Sequence, residues 1–375
     1  VEPSRLATPG PQPGLSANSS TSANVRLDYN ETAVFVKQSR DWRAMKITIA
    51  LDAMGSDQRP TPELEAAILA SKKLAVDIIL TGDEEVLAPA LARLDGDKSR
   101  ISIQHAPEAL NMEDHIRDAR AKKNNSMVVG MQLVTQGKAD AFVTAGNTGM
   151  AMYFGIKTFG MLPGVDRPCL AAVFPVEGGK CVIADIGANA QVRPEFLVQF
   201  GRMASVYSRH MLGVANPRVG LISNGEEEGK GNQLTIQAGP LMQAGVPNFV
   251  GNIEGKELFG GQVDVAVTDG FTGNVLLKSV EAVAKLIMLT LKDELMSSTR
   301  TKLGALLAKP AFNEVRKMLD PAEVGSAPLL GLNGLVFIGH GRSDARAVVN
   351  SIERANNAVQ SELLKNLRDA LRPTE

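Results

Sequence analysis

Short apolar runs alternate with helical stretches from Met45 almost to the end of the chain, and this alternation constrains the fold more than any other feature. Ten runs predict β-strands: Ile47–Asp52, Asp77–Thr81, Ile101–Gln104, Asp140–Thr144, Leu170–Phe174, Val182–Asp185, Arg218–Ser223, Asn248–Gly251, Val263–Asp269 and Leu335–Ile338. Helical patterns lie between many of them, among them Pro62–Lys73, Val128–Gln136, Glu195–Tyr207 and Gln233–Gln243. Strands that are apolar on both faces need helices on both sides, so the pattern predicts an α/β fold, a three-layer sandwich with a mostly parallel sheet.

Composition narrows the class of protein. The 375-residue chain is 44% hydrophobic, and its formal net charge of -1 provides no field to attract nucleic acid, so no nucleic-acid partner is expected. Two cysteines, Cys169 and Cys181, indicate a reducing compartment rather than a disulfide framework. The histidines lack metal-ligand spacing, and no apolar run is long enough to span a bilayer. These features predict a cytoplasmic protein without a metal site.

The first 44 residues differ from the rest of the chain. Val1–Asn24 is rich in Pro, Ser, Gly, Ala and Asn and has almost no periodic apolar pattern, which is typical of disorder. We therefore expect residues 1–44 to form a disordered leader, with Met45 as the functional start.

Five loops that follow predicted strands share a composition of Gly, Asn, Asp and Thr. They are Asp52–Asp57, Ala145–Gly149, Asp185–Asn189, Asn224–Gly231 and Asp269–Asn274. In open parallel sheets, ligands bind outside the carboxyl ends of the strands. We therefore expect these loops to meet at one edge of the sheet and to form an anion site lined by backbone N–H groups.

Asn147 and Thr148 precede the apolar run Met150–Phe159. If that run is a helix, both residues lie near its N-terminus, where free N–H groups favour phosphate. The alternative is an ordinary N-cap. The loop lacks the Gly-Lys-[Ser/Thr] ending of a nucleotide-binding P-loop.

Lys230 lies between glycines, beside three glutamates. A lysine in this setting can approach a bound phosphate as a point charge. The alternative is a solvated acidic turn in which Lys230 balances Glu227 or Glu228.

Asp269–Asn274 follows an apolar strand and opens a long helix, on which Asn274 and Lys278 share one face. The Asn274 amide could donate to a thioester or acyl-phosphate oxygen. The alternative is that Thr272 or Asn274 simply caps the helix.

His340, between Gly339 and Gly341, follows the last predicted strand and could act as a general acid towards a leaving thiolate. A structural role in the turn is the alternative. Neither cysteine has the context of a nucleophile, so an acyl-cysteine intermediate is not expected.

Two late segments are amphipathic. Val275–Met296 has an apolar stripe that favours a dimer interface, and Lys302–Leu319 combines an apolar stripe with a basic flank. Contact of the second segment with anionic lipid is the alternative to packing.

Taken in order, the motifs resemble the PlsX family, the bacterial acyl-acyl-carrier-protein:phosphate acyltransferases. The resemblance runs from Met45 to about Leu371, which leaves residues 372–375 as a tail. The motifs that carry it are Asp52–Gly55, Lys122–Met127, Ala145–Gly149, Asp166–Pro168, Gly187–Asn189, Gly225–Asn232, Gly251–Gly255, Asp269–Asn274 and Gly339–Gly341.

The resemblance implies a homodimer with a fold like those of phosphotransacetylases and isocitrate dehydrogenases. It implies direct attack of inorganic phosphate on an acyl carrier protein thioester, with no metal or nucleotide cofactor. It further implies peripheral association with an anionic membrane surface, where a membrane glycerol-3-phosphate acyltransferase takes the acyl phosphate for phospholipid synthesis.

Carried onto this sequence, the resemblance assigns catalysis to Lys230 and Asn274. Its substrate-binding candidates are Asp52, Gly55, Asn147, Thr148, Gly149, Asn189, Asp269, Thr272, Lys278 and His340. Three other functions remain open: a phosphotransacetylase acting on acyl-CoA, an NAD-linked decarboxylating dehydrogenase and a non-catalytic membrane-docking scaffold.

Overall fold

The structure, a computed structural model, describes residues 46–111, 114 and 116–372. The predicted leader, Met45 and residues 373–375 of the predicted tail lie outside the described residues, so those domain boundaries stay predictions.

Eleven strands and thirteen helices make up the described part of the chain. The strands are β1 (Thr48–Asp52), β2 (Asp77–Gly82), β3 (Ile101–His105), β4 (Ala141–Thr144), β5 (Cys169–Val176), β6 (Gly179–Ala184), β7 (Val219–Ile222), β8 (Phe249–Ile253), β9 (Val265–Val267), β10 (Ser326–Leu330) and β11 (Val336–Gly339). The helices are α1 (Thr61–Leu74), α2 (Glu84–Arg93), α3 (Ile116–Ala119), α4 (Ser126–Thr135), α5 (Thr148–Phe159), α6 (Pro194–Leu212), α7 (Gln233–Gly245), α8 (Gly255–Phe259), α9 (Gly270–Leu295), α10 (Thr299–Leu319), α11 (Pro321–Val324), α12 (Ala345–Gln360) and α13 (Leu363–Leu371). Among these helices, none is both long and apolar enough to cross a bilayer.

All eleven strands form one sheet in the order β3-β2-β1-β4-β11-β10-β5-β6-β9-β7-β8. The first five strands in this order, β3, β2, β1, β4 and β11, are mutually parallel. The last four strands, β6, β9, β7 and β8, are also parallel to one another. Between the two groups, β10 and β5 pair antiparallel with their neighbours. This arrangement confirms the predicted α/β fold with a mostly parallel sheet.

A hydrophobic core covers each face of the sheet. Alternate residues of β1 point to opposite faces: Ile49 and Leu51 join the core formed with α1, α6, α12 and α13, whereas Ala50 joins the core with α4 and α5. The two cysteines are buried on opposite faces of the sheet: Cys169 lies in the first core and Cys181 in the second. The two cores give the predicted three layers.

The prediction that all five loops meet at one edge is wrong. Three antiparallel pairings separate β11 from β6, so β6, β9 and β7 run opposite to β1, β4 and β11. The loops after β1 and β4 therefore lie at one edge with His340, and the loops after β6, β7 and β9 lie at the other. The pattern did not predict β10, a short strand that contains a proline and follows a glycine, and without it the reversal could not be foreseen.

Candidate active site along helix α9

Helix α9 connects the two groups of loops. Its first turn packs on the loop after β6, and Glu281, further along, pairs with the loop after β11. Asn274, Lys278 and Glu281 are spaced four and three residues apart, so they form one stripe on the helix surface. Since each residue adds about 1.5 Å, this stripe extends about 10 Å from one loop group towards the other.

The start of α9 is capped by Asp269. Its Oδ1 accepts a hydrogen bond from the Thr272 N–H (2.9 Å), and its Oδ2 accepts one from the Thr272 hydroxyl (2.8 Å). These are the contacts expected of an N-cap, and they orient the first turn of the helix.

Asp185 organises the loop after β6 against this turn. Five N–H groups donate to its carboxylate, those of Leu170, Gly187, Ala188 and Asn189 from the backbone and the Asn189 Nδ2 group. Burial raises the pKa of the Asp185 carboxyl, and these donors oppose that shift. The Asn189 carbonyl in turn accepts the Gly270 N–H at 2.8 Å. Asn189, predicted to bind phosphate, is therefore mostly engaged in holding this loop to α9.

Two glycines allow the close approach of loop and helix. A Cβ at Gly273 would collide with the Asp185 carbonyl oxygen. Gly187 has a φ of +146°, and a Cβ there would lie 3.9 Å from the Asn274 side chain. The exposed Asn274 amide is thereby placed directly beside the loop after β6.

Glu281 gathers three basic side chains at the other end of the stripe. Its carboxylate lies 3.5 Å from Lys278 Nζ, 3.7 Å from His340 Nε2 and 3.5 Å from Arg342 Nη2. Burial lowers the pKa of His340, with help from the charges of Lys278 and Arg342 and against the opposing effect of Glu281. The imidazole is therefore mainly neutral at neutral pH.

The loops after β1 and β4 are locked together. Asp52, which is 1% exposed, accepts a hydrogen bond from the Thr144 hydroxyl at 2.7 Å, and burial raises the pKa of its carboxyl. Gly55 leaves no room for a side chain, because a Cβ there would lie 2.9 Å from Asp52, Thr144 and the Gly146 N–H. Asp52 and Gly55 therefore fix the position of the loop after β4, which contains Asn147.

This locked pair of loops also touches the His340 turn. The Asp57 N–H donates to the Gly341 carbonyl at 2.7 Å. Behind it, fully buried Glu63 accepts the Ser56 N–H at 3.1 Å through Oε1. Burial raises the pKa of Glu63 to about 7, and its Oε2 has no hydrogen-bond partner in the described part of the chain.

Asn147 is the N-cap of α5, and its Oδ1 accepts the Met150 N–H at 3.1 Å. Thr148 and Gly149 form the first turn and are half-buried. The helix that the phosphate interpretation required is thus present, and the capping alternative is compatible with it.

Lys230 lies at the edge where α9 begins, because its strand β7 neighbours β9 in the sheet. Its side chain packs on Gly225, where a Cβ would lie 2.9 Å from Lys230 Cγ. Among residues 46–111, 114 and 116–372, no carboxylate lies within ion-pairing distance of the exposed Lys230 ammonium, so it does not balance Glu227 or Glu228. No hydrogen bond or ion pair between described residues joins Lys230 to Asn274.

Among the residues that the structure describes, one carboxylate cluster has the spacing for a metal ion, Glu226 with Glu254 and Glu257. Lys256 already supplies a cation there, with its Nζ 2.5 Å from Glu226 and 3.5 Å from Glu257.

Sequence reasoning missed Glu281, Arg342 and Glu63. Glu281 could have been found from its position seven residues after Asn274 on the same helical face. Arg342 stands two residues from His340, and Glu63 carries no local signal because an acid in a helical pattern usually indicates a solvated face.

Comparison with known proteins assigns the chain to a family. The model of the family described as fatty acid synthesis protein matches residues 47–366. A phosphate acyltransferase of Pelotomaculum thermopropionicum is 46% identical over 328 residues, which cover 87% of this chain and 96% of that protein. A phosphate acyltransferase of Acidobacterium capsulatum is 47% identical over 83% of this chain and 93% of its own length.

Solved structures show the same fold at low sequence identity. A phosphotransacetylase from Streptococcus pyogenes superposes with a TM-score of 0.57 at 15% identity, covering 84% of this chain and 94% of the other. EutD phosphotransacetylase from Staphylococcus aureus gives 0.53 at 17% identity, with the same coverages. The predicted phosphotransacetylase-like fold is confirmed. The match over residues 47–366 and the identities of 46–47% place the chain in the fatty acid synthesis protein family, the PlsX family of phosphate acyltransferases.

Proposed function

We propose that this protein transfers a fatty acyl group from an acyl carrier protein thioester to inorganic phosphate, giving acyl phosphate for phosphatidic acid and phospholipid synthesis. The observation that carries the proposal is the 46–47% identity, over more than four fifths of the chain, to relatives named phosphate acyltransferase.

In the proposed reaction, a phosphate oxygen attacks the thioester carbonyl carbon, the C–O bond forms and the C–S bond breaks. Phosphate is already a nucleophile at neutral pH, so the site needs positioning and charge stabilisation more than a strong base. The Asn274 amide is the donor for the developing oxyanion, and Lys230 supplies positive charge at the same edge of the sheet.

The basic group around Glu281 is suited to the rest of the reaction. Lys278 and Arg342 provide two permanent positive charges beside a single carboxylate, which leaves a net positive field for phosphate. His340, whose pKa is lowered, is mainly neutral, so its one ring N–H donates a hydrogen bond to the leaving thiolate, which takes the proton that the attacking hydrogen phosphate gives up. The N-terminus of α5, at Asn147, Thr148 and Gly149, is a further place for phosphate.

Helices α9 and α10 support the proposed partners. The pair exposes Leu286, Ile287, Leu303, Leu306 and Leu307, and no residue of α10 is buried. An apolar surface of this extent favours a partner, which we take to be a second copy of the chain against α9. The basic residues of α10 favour loose contact with anionic lipid, near the membrane glycerol-3-phosphate acyltransferase that consumes the product.

The test compares palmitoyl-acyl carrier protein with palmitoyl-CoA, each with and without phosphate, by release of the free thiol. The proposal expects phosphate-dependent release, faster from the carrier protein. Faster release from CoA would favour a phosphotransacetylase, and vesicle binding without any thiol release would favour a scaffold.

A further inference from the structure

A cleft of about 660 Å³ opens next to the loop after β6 and is lined by Asp166, Arg167, Gln191, Val192, Arg193 and Phe196. We propose that this cleft binds the phosphate of the phosphopantetheine arm that carries the acyl thioester. The inference rests on the proposed function and names the subsite for its donor.

The cleft carries uncompensated positive charge. In the described chain, neither the Arg167 nor the Arg193 guanidinium has a carboxylate within ion-pairing distance. The one acid in the lining, Asp166, accepts a hydrogen bond from Gln199 Nε2 at 2.8 Å, and its single negative charge leaves the two arginines in excess. Two free guanidinium groups in one cleft are suited to a phosphate, because their planar N–H groups match its oxygens.

One of the two arginines is held in place. The Arg193 guanidinium carbon lies 4.6 Å from the centre of the Phe196 ring, a distance typical of a cation–π contact. Arg193 also stands at the N-cap of α6, which has no side-chain cap; Pro194 has no N–H, and the Phe196 N–H donates to the Arg193 carbonyl at 3.0 Å. The dipole of this 19-residue helix adds to the attraction for an anion.

The cleft adjoins the loop after β6, and this loop borders Asn274. The Asn189 Nδ2 group donates to the carbonyl of Pro168, the residue after Arg167, at 2.7 Å. The other wall begins at Gln191, two residues after Asn189. Because Gly187 of the same loop borders Asn274, an arm anchored in the cleft can lead along this loop to the reacting carbonyl.

The first test measures binding by calorimetry, without catalysis. Wild-type protein and the Arg167→Gln/Arg193→Gln variant are titrated with 4′-phosphopantetheine and with pantetheine, which lacks the phosphate. Each lost guanidinium should weaken phosphopantetheine binding about tenfold, and the variant should no longer prefer it over pantetheine. Arg93→Gln, which removes one exposed guanidinium on α2, should bind like wild type. Equal affinities of wild type and double variant for phosphopantetheine would overturn the inference.

The second test uses turnover and separates the inference from the proposed function. The double variant should raise the KM for palmitoyl-phosphopantetheine and for palmitoyl-acyl carrier protein, and leave the KM for palmitoyl-N-acetylcysteamine and for phosphate unchanged. If the KM rises only for palmitoyl-acyl carrier protein, the inference is wrong, and the two arginines bind an acidic surface of the carrier protein instead. The wild type could also bind phosphopantetheine better than pantetheine and yet show no turnover that depends on inorganic phosphate. That result would reject the proposed function but leave the phosphopantetheine subsite.

Discussion

Asn274 and Lys230, the two residues assigned to catalysis, are held in different ways. Asn274 stands in the first turn of a long helix and borders Gly187, so its amide has a defined position. Lys230 stands on an exposed loop, where its N–H donates to the Glu227 carbonyl at 3.1 Å, and within the described chain its ammonium has no carboxylate at ion-pairing distance. Asn274 therefore supplies a hydrogen-bond donor in a defined position. Lys230 supplies a positive charge on an exposed side chain that can change its conformation.

Removing either group should slow the reaction without unfolding the protein. We expect Asn274→Ala and Lys230→Met each to lower kcat by about 10²–10³, the usual cost of losing one oxyanion donor or charge. Steady-state thiol release measures the effect, and Lys72→Met, at an exposed lysine of α1, is the matched control. Full turnover in both variants would remove these two residues from the mechanism.

Glu63 should make stability depend on pH in an unusual direction. Its pKa is raised from 4.5 to about 7 in the folded protein, so the folded state retains a proton that the unfolded state has lost between these values. The stabilisation by this group is complete below pH 4.5 and is lost as pH rises through 7. The loss in free energy of unfolding is on the order of 3 kcal/mol.

Glu63→Gln removes this titration and preserves an acceptor for the Ser56 N–H. Denaturant unfolding of both proteins from pH 4 to 8 isolates the effect as a difference. The variant should gain stability relative to wild type as pH rises, and a constant difference would show that Glu63 does not titrate in this range.

Only part of the site could be predicted at the scale of single residues. The helical spacing predicted that Asn274 and Lys278 share a face, which the structure shows. The roles of Asp52 and Gly55 in locking two loops depend on contacts across 92 residues of chain, which no local pattern encodes.

At the scale of elements, α9 determines the geometry of the site. It carries Asn274 at one edge of the sheet and, through Glu281, reaches His340 at the other. The loops after β6 and β11 lie at opposite edges of the sheet because their strands run in opposite directions, and α9 connects them.

Glu281→Gln tests this connection. Glu281 is the neighbour that raises the pKa of His340, so its neutralisation should lower that pKa further. An NMR titration of the His340 ring follows the pKa, with Glu294→Gln on exposed α9 as control. An unchanged His340 pKa would contradict the connection.

The exposed face of α9 and α10 should govern assembly. We expect wild type to sediment as a dimer of the 39.9 kDa chain, and Leu286→Asp to shift it towards the monomer, because a charge in an apolar interface is costly. Leu69→Asp, at a similarly exposed leucine on α1, should leave the dimer intact. A monomeric wild type would refute the dimer.

At the scale of the whole molecule, the fold was largely predictable and its strand directions were not. All ten predicted strands exist, because apolar strand runs and helical periodicity are local signals. The unpredicted strand β10 takes part in two of the antiparallel pairings that reverse the sheet, so a single short element decides where five loops lie.

The central claim is that phosphate itself attacks the acyl thioester. Incubation with palmitoyl-acyl carrier protein and phosphate labelled with ¹⁸O at every oxygen, followed by mass spectrometry, tests it directly. The account predicts palmitoyl phosphate that retains every labelled oxygen, formed in step with free carrier thiol. Thiol release at the same rate without phosphate, with free palmitate as the product, would contradict it.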